Sequence, residues 1–273
     1  MQNYRNLRFQ DLFRDEKYLV LKNYFYNYLL RKRAVEKSLL AENIERVLEI
    51  GSGISPLAKQ VGLTVFSDVS LDAIRLLKRQ QQKGYYVVAD GRQLPFKPQV
   101  FSHAICSEVL EHIEDDLAVL EELRRILRTP AGCLVITVPH RKCYFTNDDH
   151  FVKHYRRYEL AEIMHKLTST GLKPIVLKKV LGPMEKITMS FAVYLFSILK
   201  KYKRLKGKAQ KRGQLRALIF FAPFFQWANI FYQGFVWLDA RMMPLSLSTV
   251  ILIKSVVSAN PKSVEHVRDH EQR

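Results

Sequence analysis

The chain has 273 residues, of which 48% are apolar, enough for one large α/β domain with an insertion and an ample core. Its three cysteines, Cys106, Cys133 and Cys143, form no Cys-x-x-Cys pair; they read as reduced structural thiols in a cytosolic setting. The formal net charge is +18, and residues 183–245 hold 11 basic residues against 2 acidic ones, so half of the excess lies in that segment and points to a polyanionic partner, either lipid headgroups or nucleic acid.

In chain order, Met1 to Asn6 has no apolar core and is expected not to be a signal peptide. Residues 11–40 read as an aromatic, basic helical cap. Tyr18, Tyr24, Phe25, Tyr26 and Tyr28 either pack beside a cleft or line an acceptor pocket. Val47 to Ile50 is a buried strand running into Gly51-Ser-Gly53. Ser55 is placed as an N-cap and Pro56 as the first residue of a helix. Gly51 and Gly53 permit a tight turn and close approach of a ligand, toward which the helix start would aim its N–H groups. The second strand, Leu63 to Ser67, ends in Asp68, and Ser70 can cap a helix over 71–82. Tyr85 to Val88 is the third strand and ends in Ala89-Asp90-Gly91. The fourth, Phe101 to Cys106, runs into Ser107-Glu108-Val-Leu-Glu111-His112. Asp115 or Asp116 starts a helix with Leu117, Leu120, Leu123 and Leu127 inward. Cys133 to Val138 is the fifth strand, 158–170 a helix closed by Gly171, and Lys173 to Val180 the sixth strand. An acid about 20 residues after a glycine turn suits ribose hydroxyls, and polar strand ends are where an open parallel sheet binds its ligand.

Five pieces carry a resemblance: Glu49-Ile-Gly-Ser-Gly53, Ser67-Asp-Val-Ser70, Ala89-Asp-Gly-Arg-Gln-Leu-Pro-Phe96, Ser107-Glu-Val-Leu-Glu-His-Ile113 and Leu134-Val-Ile-Thr-Val-Pro139. Together they resemble the class I S-adenosylmethionine-dependent methyltransferases, type 11 group, over about residues 44–182. The resemblance implies a Rossmann-like, doubly wound seven-stranded sheet with a helical insertion before the last strand, and S-adenosylmethionine as cofactor. It places Glu49, Gly51 and Gly53 around the methionine part, Asp68 on ribose and Asp90 on the adenine amino group, with Ser55, Gly91 and Ser107 completing the cofactor set. Ser55 stands where the family has a third glycine, and Ser102-His103 replaces its usual acid. A binding remnant without activity is one alternative; a nicotinamide oxidoreductase is disfavoured, because that fingerprint has Gly or Ala where Pro56 sits.

The chemistry is expected at the strand ends. Glu108, Glu111 and His112, spaced by three and four on a helix, would share one face near the methyl group. His112, Glu108 and His154 are the candidate catalytic residues, with His112 as general base. Some relatives bind a divalent ion, Mg²⁺ or Mn²⁺, through a Glu-x-x-Glu-His set. Here Glu108, Glu111, His112 and His154 would be that alternative, with His140 and His150 also nearby; a site without metal is favoured. The loop His140 to Tyr158, which holds Arg141, Asp148, Asp149, His154, Tyr155, Arg156 and Arg157, lies over the cleft. Arg156 and Arg157 either contact an acceptor phosphate or carboxylate or tie the loop down.

These features divide the chain into a cap (1–43), a methyltransferase core (44–182), an insertion (183–246), a last strand (247–258) and a polar tail (259–273). Within the insertion, Ile187 to Leu199 is apolar and Lys200 to Arg212 has eight basic residues and no acid. Residues 215–238 are apolar and aromatic, including Phe220, Phe221, Phe224, Phe225, Trp227, Phe231, Tyr232, Phe235 and Trp237. The 13-residue arm reaches about 20 Å as a helix against about 30 Å of hydrocarbon. A hairpin in one leaflet therefore fits better than a crossing, and a helical lid is the other reading. The expected protein is a methyltransferase at the cytoplasmic, inner face of a membrane. Its acceptor is a lipid, a lipid-linked sugar or an isoprenoid quinone precursor, and its partner surface an anionic membrane. A soluble RNA or small-molecule methyltransferase and a non-catalytic cofactor-binding membrane scaffold are the alternatives; nucleic acid is the less favoured partner.

Overall fold

The structure, a computed structural model, describes residues 26–39, 43–58, 62–80, 83–191, 194 and 231–258. Seven strands form one sheet: β1 (Arg46–Ile50), β2 (Leu63–Asp68), β3 (Tyr85–Val88), β4 (His103–Ser107), β5 (Cys133–Pro139), β6 (Leu172–Leu181) and β7 (Val250–Val257). Their order is β3-β2-β1-β4-β5-β7-β6. Pairs among β1 to β5 are parallel, while β7 runs antiparallel between β5 and β6. This is the Rossmann-like sheet that the alternating strands and helices imply.

Every residue of β5 is buried and only Arg46 of β1 is exposed, as expected for parallel strands covered on both faces. Side chains alternate between two apolar layers. Leu48, Ile50, Ile136 and Ile253 face the helices Asp116–Ile126 and Leu160–Ser169. Val47, Ile105, Val135 and Leu252 face the other layer, which includes the helix Tyr26–Leu39. Asp115 caps the helix Asp116–Ile126 by accepting the Ala118 N–H at 3.1 Å. That helix turns Val119, Leu120, Leu123 and Ile126 inward. Leu117, expected in the core, is exposed instead, because the buried stripe runs through Asp116, one position earlier, and on to Val119, Leu120, Leu123 and Ile126.

Two further expectations are corrected. Residues 56–58 are not helical, so Ser55 caps no helix there. The reason is local: the buried Glu49 carboxylate accepts the N–H groups of Leu57 and Ala58 at 2.8 Å each and holds the chain in an irregular loop. After β4 the chain forms only a short 3-10 turn, Leu110–His112, since Glu108 adopts a left-handed conformation at φ 53. Glu108, Glu111 and His112 therefore do not share one face of a helix.

Between β6 and β7 the described chain is helical at 183–191 and 231–242. The two helices lie antiparallel: the Met184 N–H donates to Asp239 Oδ2 at 3.1 Å, and Thr188 bonds to the Tyr232 hydroxyl. They share the layer of the N-terminal helix, where the Tyr26 ring meets Tyr232 edge-on at 5.1 Å. Most of the apolar 215–238 stretch, the basic run, the residues before 26 and the tail lie outside the described residues. Among the described residues no helix is long and apolar enough to cross a membrane.

Candidate functional site

The glycine turn closes the C-terminal end of β1. Gly51 and Gly53 have φ values of 64 and 54, a region that favours glycine. A Cβ on Gly51 would stand 2.3 Å from Val109 Cγ2, so the turn and the segment after β4 are in van der Waals contact. Asp68 clamps this turn, accepting the Gly53 N–H at 2.9 Å and the Ser70 N–H at 2.8 Å. The Ser52 and Ser55 hydroxyls are buried in the same turn without a hydrogen-bond partner among the described residues. Two unbonded hydroxyls in a glycine turn fit the polar, charged methionine end of S-adenosylmethionine.

Other members of the expected cofactor set sit differently. Glu49 points behind the turn and braces residues 57–58, as described above. Asp90 is gripped by Arg92, whose Nε lies 3.0 Å from Oδ1 and whose Nη2 lies 2.5 Å from Oδ2. The Arg92 bonds hold the Asp90 carboxyl below its ordinary range. An adenine amino group would have to share Asp90 with that guanidinium. A Cβ at Gly91 would meet Ile50 and Val119 at 3.6 Å, ordinary contact, so this glycine faces the core. Ser107 Oγ bonds to Thr137 Oγ1 at 2.7 Å.

Thr137 in turn donates to Glu108 Oε1 at 3.1 Å, and Arg31 of the N-terminal helix pairs with Glu108 Oε2 at 3.2 Å. The same helix holds the glycine loop through Tyr28, whose hydroxyl donates to the Pro56 carbonyl at 3.0 Å. Tyr26 and Tyr28 are buried, so the two cap tyrosines within the described residues pack rather than line a pocket. Thr137 had a signal in the sequence, a hydroxyl in an otherwise apolar strand. Arg31 had none, because only tertiary packing brings it to β4.

Glu108 thus stands apart from Glu111, His112 and His154, whose ligand atoms lie within 4.8 Å of one another. The Tyr155 N–H donates to the Glu111 carbonyl at 2.8 Å and docks the loop after β5 on the turn after β4. The His112 and His154 rings meet edge-on at 4.7 Å. Burial, then the neighbouring His154, push the His112 imidazole down to about 3. Such a ring takes up protons poorly at neutral pH, which weighs against His112 as the base. Burial, then Glu108, push the Glu111 carboxyl well up; neither of its oxygens accepts a hydrogen bond among the described residues.

His154 is differently placed. Its Nδ1 lies 2.8 Å from Asp149 Oδ1, and its Nε2 lies 3.8 Å from Glu111 Oε1. Asp149 belongs to a short helix, Asn147–Val152, opened by a capping box with Thr146. The other loop histidines are structural. His140 bonds to Ser248 Oγ at 2.8 Å, and His150 packs on Phe145. Arg157 donates to Asp149 at 2.8 Å and reaches two backbone carbonyls, and Arg156 donates to the Glu114 carbonyl at 2.7 Å. Both arginines tie the loop down. A cavity of about 280 Å³ opens beside them, lined by Lys142, Phe145, Tyr155, Arg156 and Arg157.

Residues 48–136 match the family model described as a methyltransferase domain, type 11. An uncharacterised protein of Methanocaldococcus jannaschii is 26% identical over 137 residues, 48% of this chain and 65% of that one. The demethylmenaquinone methyltransferase of Streptomyces griseus is 30% identical over 111 residues, 39% of this chain and 48% of that one. The chain therefore spans between about half and two thirds of the curated relatives it matches. A solved S-adenosylmethionine-dependent methyltransferase of Thermotoga maritima shares the fold at 16% identity. Its TM-score is 0.56, and the match covers 92% of this chain and 98% of that one.

Proposed function

We propose that this chain, whose residues 48–136 form a methyltransferase domain on a class I methyltransferase fold, transfers a methyl group from S-adenosylmethionine to a membrane-associated small-molecule acceptor. The observation that carries the transferase reading is the clamped glycine turn, with Asp68 bonded to it and two unbonded serine hydroxyls inside it. When bound, the cofactor supplies an already activated methyl group on its sulfonium. The turn would hold the methionine end, and Asp68 would take the ribose. The protein's remaining work is to align the acceptor and remove its proton. His154, with one ring nitrogen on a carboxylate and the other facing Glu111, suits the proton transfer better than His112.

The lipid side of the proposal rests on the two helical arms. Phe191, Phe231 and Phe235 are all more than half exposed on them, and the chain joining the arms holds the basic run. Trp237 is partly exposed on the second arm and has Arg241 over its ring. The quinone-precursor substrate of the Streptomyces relative is compatible with an isoprenoid acceptor. We expect calorimetry to show S-adenosylmethionine binding well below millimolar Kd, and lipid extracts of expressing cells to hold a species 14 daltons heavier, the mass of an added CH₂. Tighter binding of NAD than of S-adenosylmethionine would sink the assignment.

A second reading, metal-assisted transfer, is supported by one observation: the buried Glu111 carboxylate without hydrogen bonds, beside two imidazoles. Glu111, His112 and His154 would hold a divalent ion that orients and acidifies an acceptor hydroxyl. This reading requires Mn²⁺ to bind the wild-type protein, and Glu111→Gln to weaken that binding at least about tenfold. A wild-type protein that gives no heat with Mn²⁺ removes it.

A further inference from the structure

We propose that Asp149 is the positioning residue that fixes the tautomer of His154, and that Lys186, at the root of the inserted segment, holds Asp149 in that role. The inference builds on His154 as the proton acceptor of the proposed transferase.

Asp149 is buried, and its carboxylate meets four donors. Oδ1 lies 2.8 Å from His154 Nδ1 and 2.8 Å from Arg157 Nε. Oδ2 accepts the Thr146 N–H at 3.0 Å and Lys186 Nζ at 2.6 Å. Two cations on one carboxylate keep it ionised. An ionised carboxylate only accepts. The proton in the contact must therefore sit on Nδ1 of His154. In the neutral ring, Nε2 then carries the lone pair, on the side that faces Glu111. A base needs its lone pair on the nitrogen that faces the acceptor, so the choice of tautomer decides whether His154 can act.

Lys186 is what makes this more than a loop contact. Its ammonium is buried and also pairs with Asp148 Oδ2 at 2.7 Å. It therefore balances two adjacent carboxylates that Arg157 alone would leave undercompensated. It comes from the helix at 183–191, the first described part of the insertion, while Asp149 belongs to the loop after β5. The insertion thus supplies a member of the charge network behind His154, besides its exposed surface.

The test is nitrogen NMR of the full chain labelled with ¹⁵N-histidine at pH 8, with His154→Gln assigning the resonances. The wild-type ring should show a protonated Nδ1 and an unprotonated Nε2. Asp149→Asn should shift the tautomer ratio toward Nε2–H at least about tenfold, since a hydrogen bond to a charged partner is lost. Lys186→Met should shift it in the same direction, and Lys186→Arg should restore the wild-type pattern. A wild-type His154 that is Nε2–H, or doubly protonated at pH 8, overturns the proposal without any variant having to fold. An unchanged ratio in Asp149→Asn overturns it as well, and an unchanged ratio in Lys186→Met removes Lys186 from it. Calorimetric binding of S-adenosylmethionine to the same samples tests the transferase reading separately. Normal wild-type tautomers without cofactor binding would sink that reading alone.

Discussion

Gly51→Val should weaken S-adenosylmethionine binding by at least about 30-fold, read by calorimetry. The residue sits at φ 64, and its Cβ would stand 2.3 Å from Val109 Cγ2. A β-branched residue in a left-handed conformation costs about 1–3 kcal/mol, and overpacking a filled contact costs a similar amount. Their sum of about 2–6 kcal/mol can be relieved only by moving the turn or the segment after β4. Moving the turn displaces the Gly53 N–H from Asp68 and carries both serine hydroxyls with it. The control is Gly91→Ala. Its Cβ would make ordinary contact with Ile50 and Val119, so binding should stay within about twofold. A Gly51→Val protein that binds the cofactor like wild type would place the cofactor somewhere other than this turn.

The contrast between those two glycines shows what the sequence could and could not reveal. Both stand at strand ends, and the family resemblance assigned both to the cofactor. Only the packing separates them, because a glycine's role depends on which neighbour its missing side chain would strike. The strands themselves were legible. Runs such as Leu134 to Val138, apolar on both faces but for Thr137, are what a sheet covered on both sides requires. The cap on the helix over 71–80 was legible too, since Ser70 accepts the Ala73 N–H at 3.2 Å.

What remained hidden depends on contacts between distant segments. The helical spacing of Glu108, Glu111 and His112 assumed a helix directly after β4. The left-handed Glu108 breaks that assumption and sends its carboxylate to Thr137 and Arg31. His112 fits the base role by residue type. Its enclosure lowers its basicity, and no sequence pattern reports enclosure. Lys186 stands beside Glu185 just before an apolar run, with nothing local to show that it closes a buried network with Asp148 and Asp149, 38 and 37 residues away. Arg156 and Arg157 suggest an anion site until their carbonyl and carboxylate partners are seen.

The insertion yields the second large effect: the full chain should float with vesicles of phosphatidylglycerol and phosphatidylcholine, and Phe191→Ser, Phe231→Ser and Phe235→Ser together should abolish flotation at 1 M salt. The helices at 183–191 and 231–242 lie side by side, joined by the Met184–Asp239 and Thr188–Tyr232 bonds. The Phe191 and Phe231 ends of these antiparallel arms lead into the connecting chain. Phe191 is 65%, Phe231 75% and Phe235 54% exposed. Burying the free half or more of each ring contributes about 1–2 kcal/mol, so three rings together change partitioning by at least about 100-fold. The eight basic residues from Lys200 to Arg212 add up to about 1 kcal/mol each near an anionic surface. Charge alone is screened by salt, whereas inserted rings are not. Flotation should therefore persist at 1 M salt in the wild type and vanish there in the triple variant. The cofactor fold should survive, because none of the three phenylalanines belongs to either buried apolar layer; unchanged calorimetric binding of S-adenosylmethionine checks this. A wild-type protein that ignores anionic vesicles, or that binds them only at low salt, would leave these arms as a lid over the site. A salt-steep affinity for RNA in the same protein would assign the basic run to phosphate backbones instead.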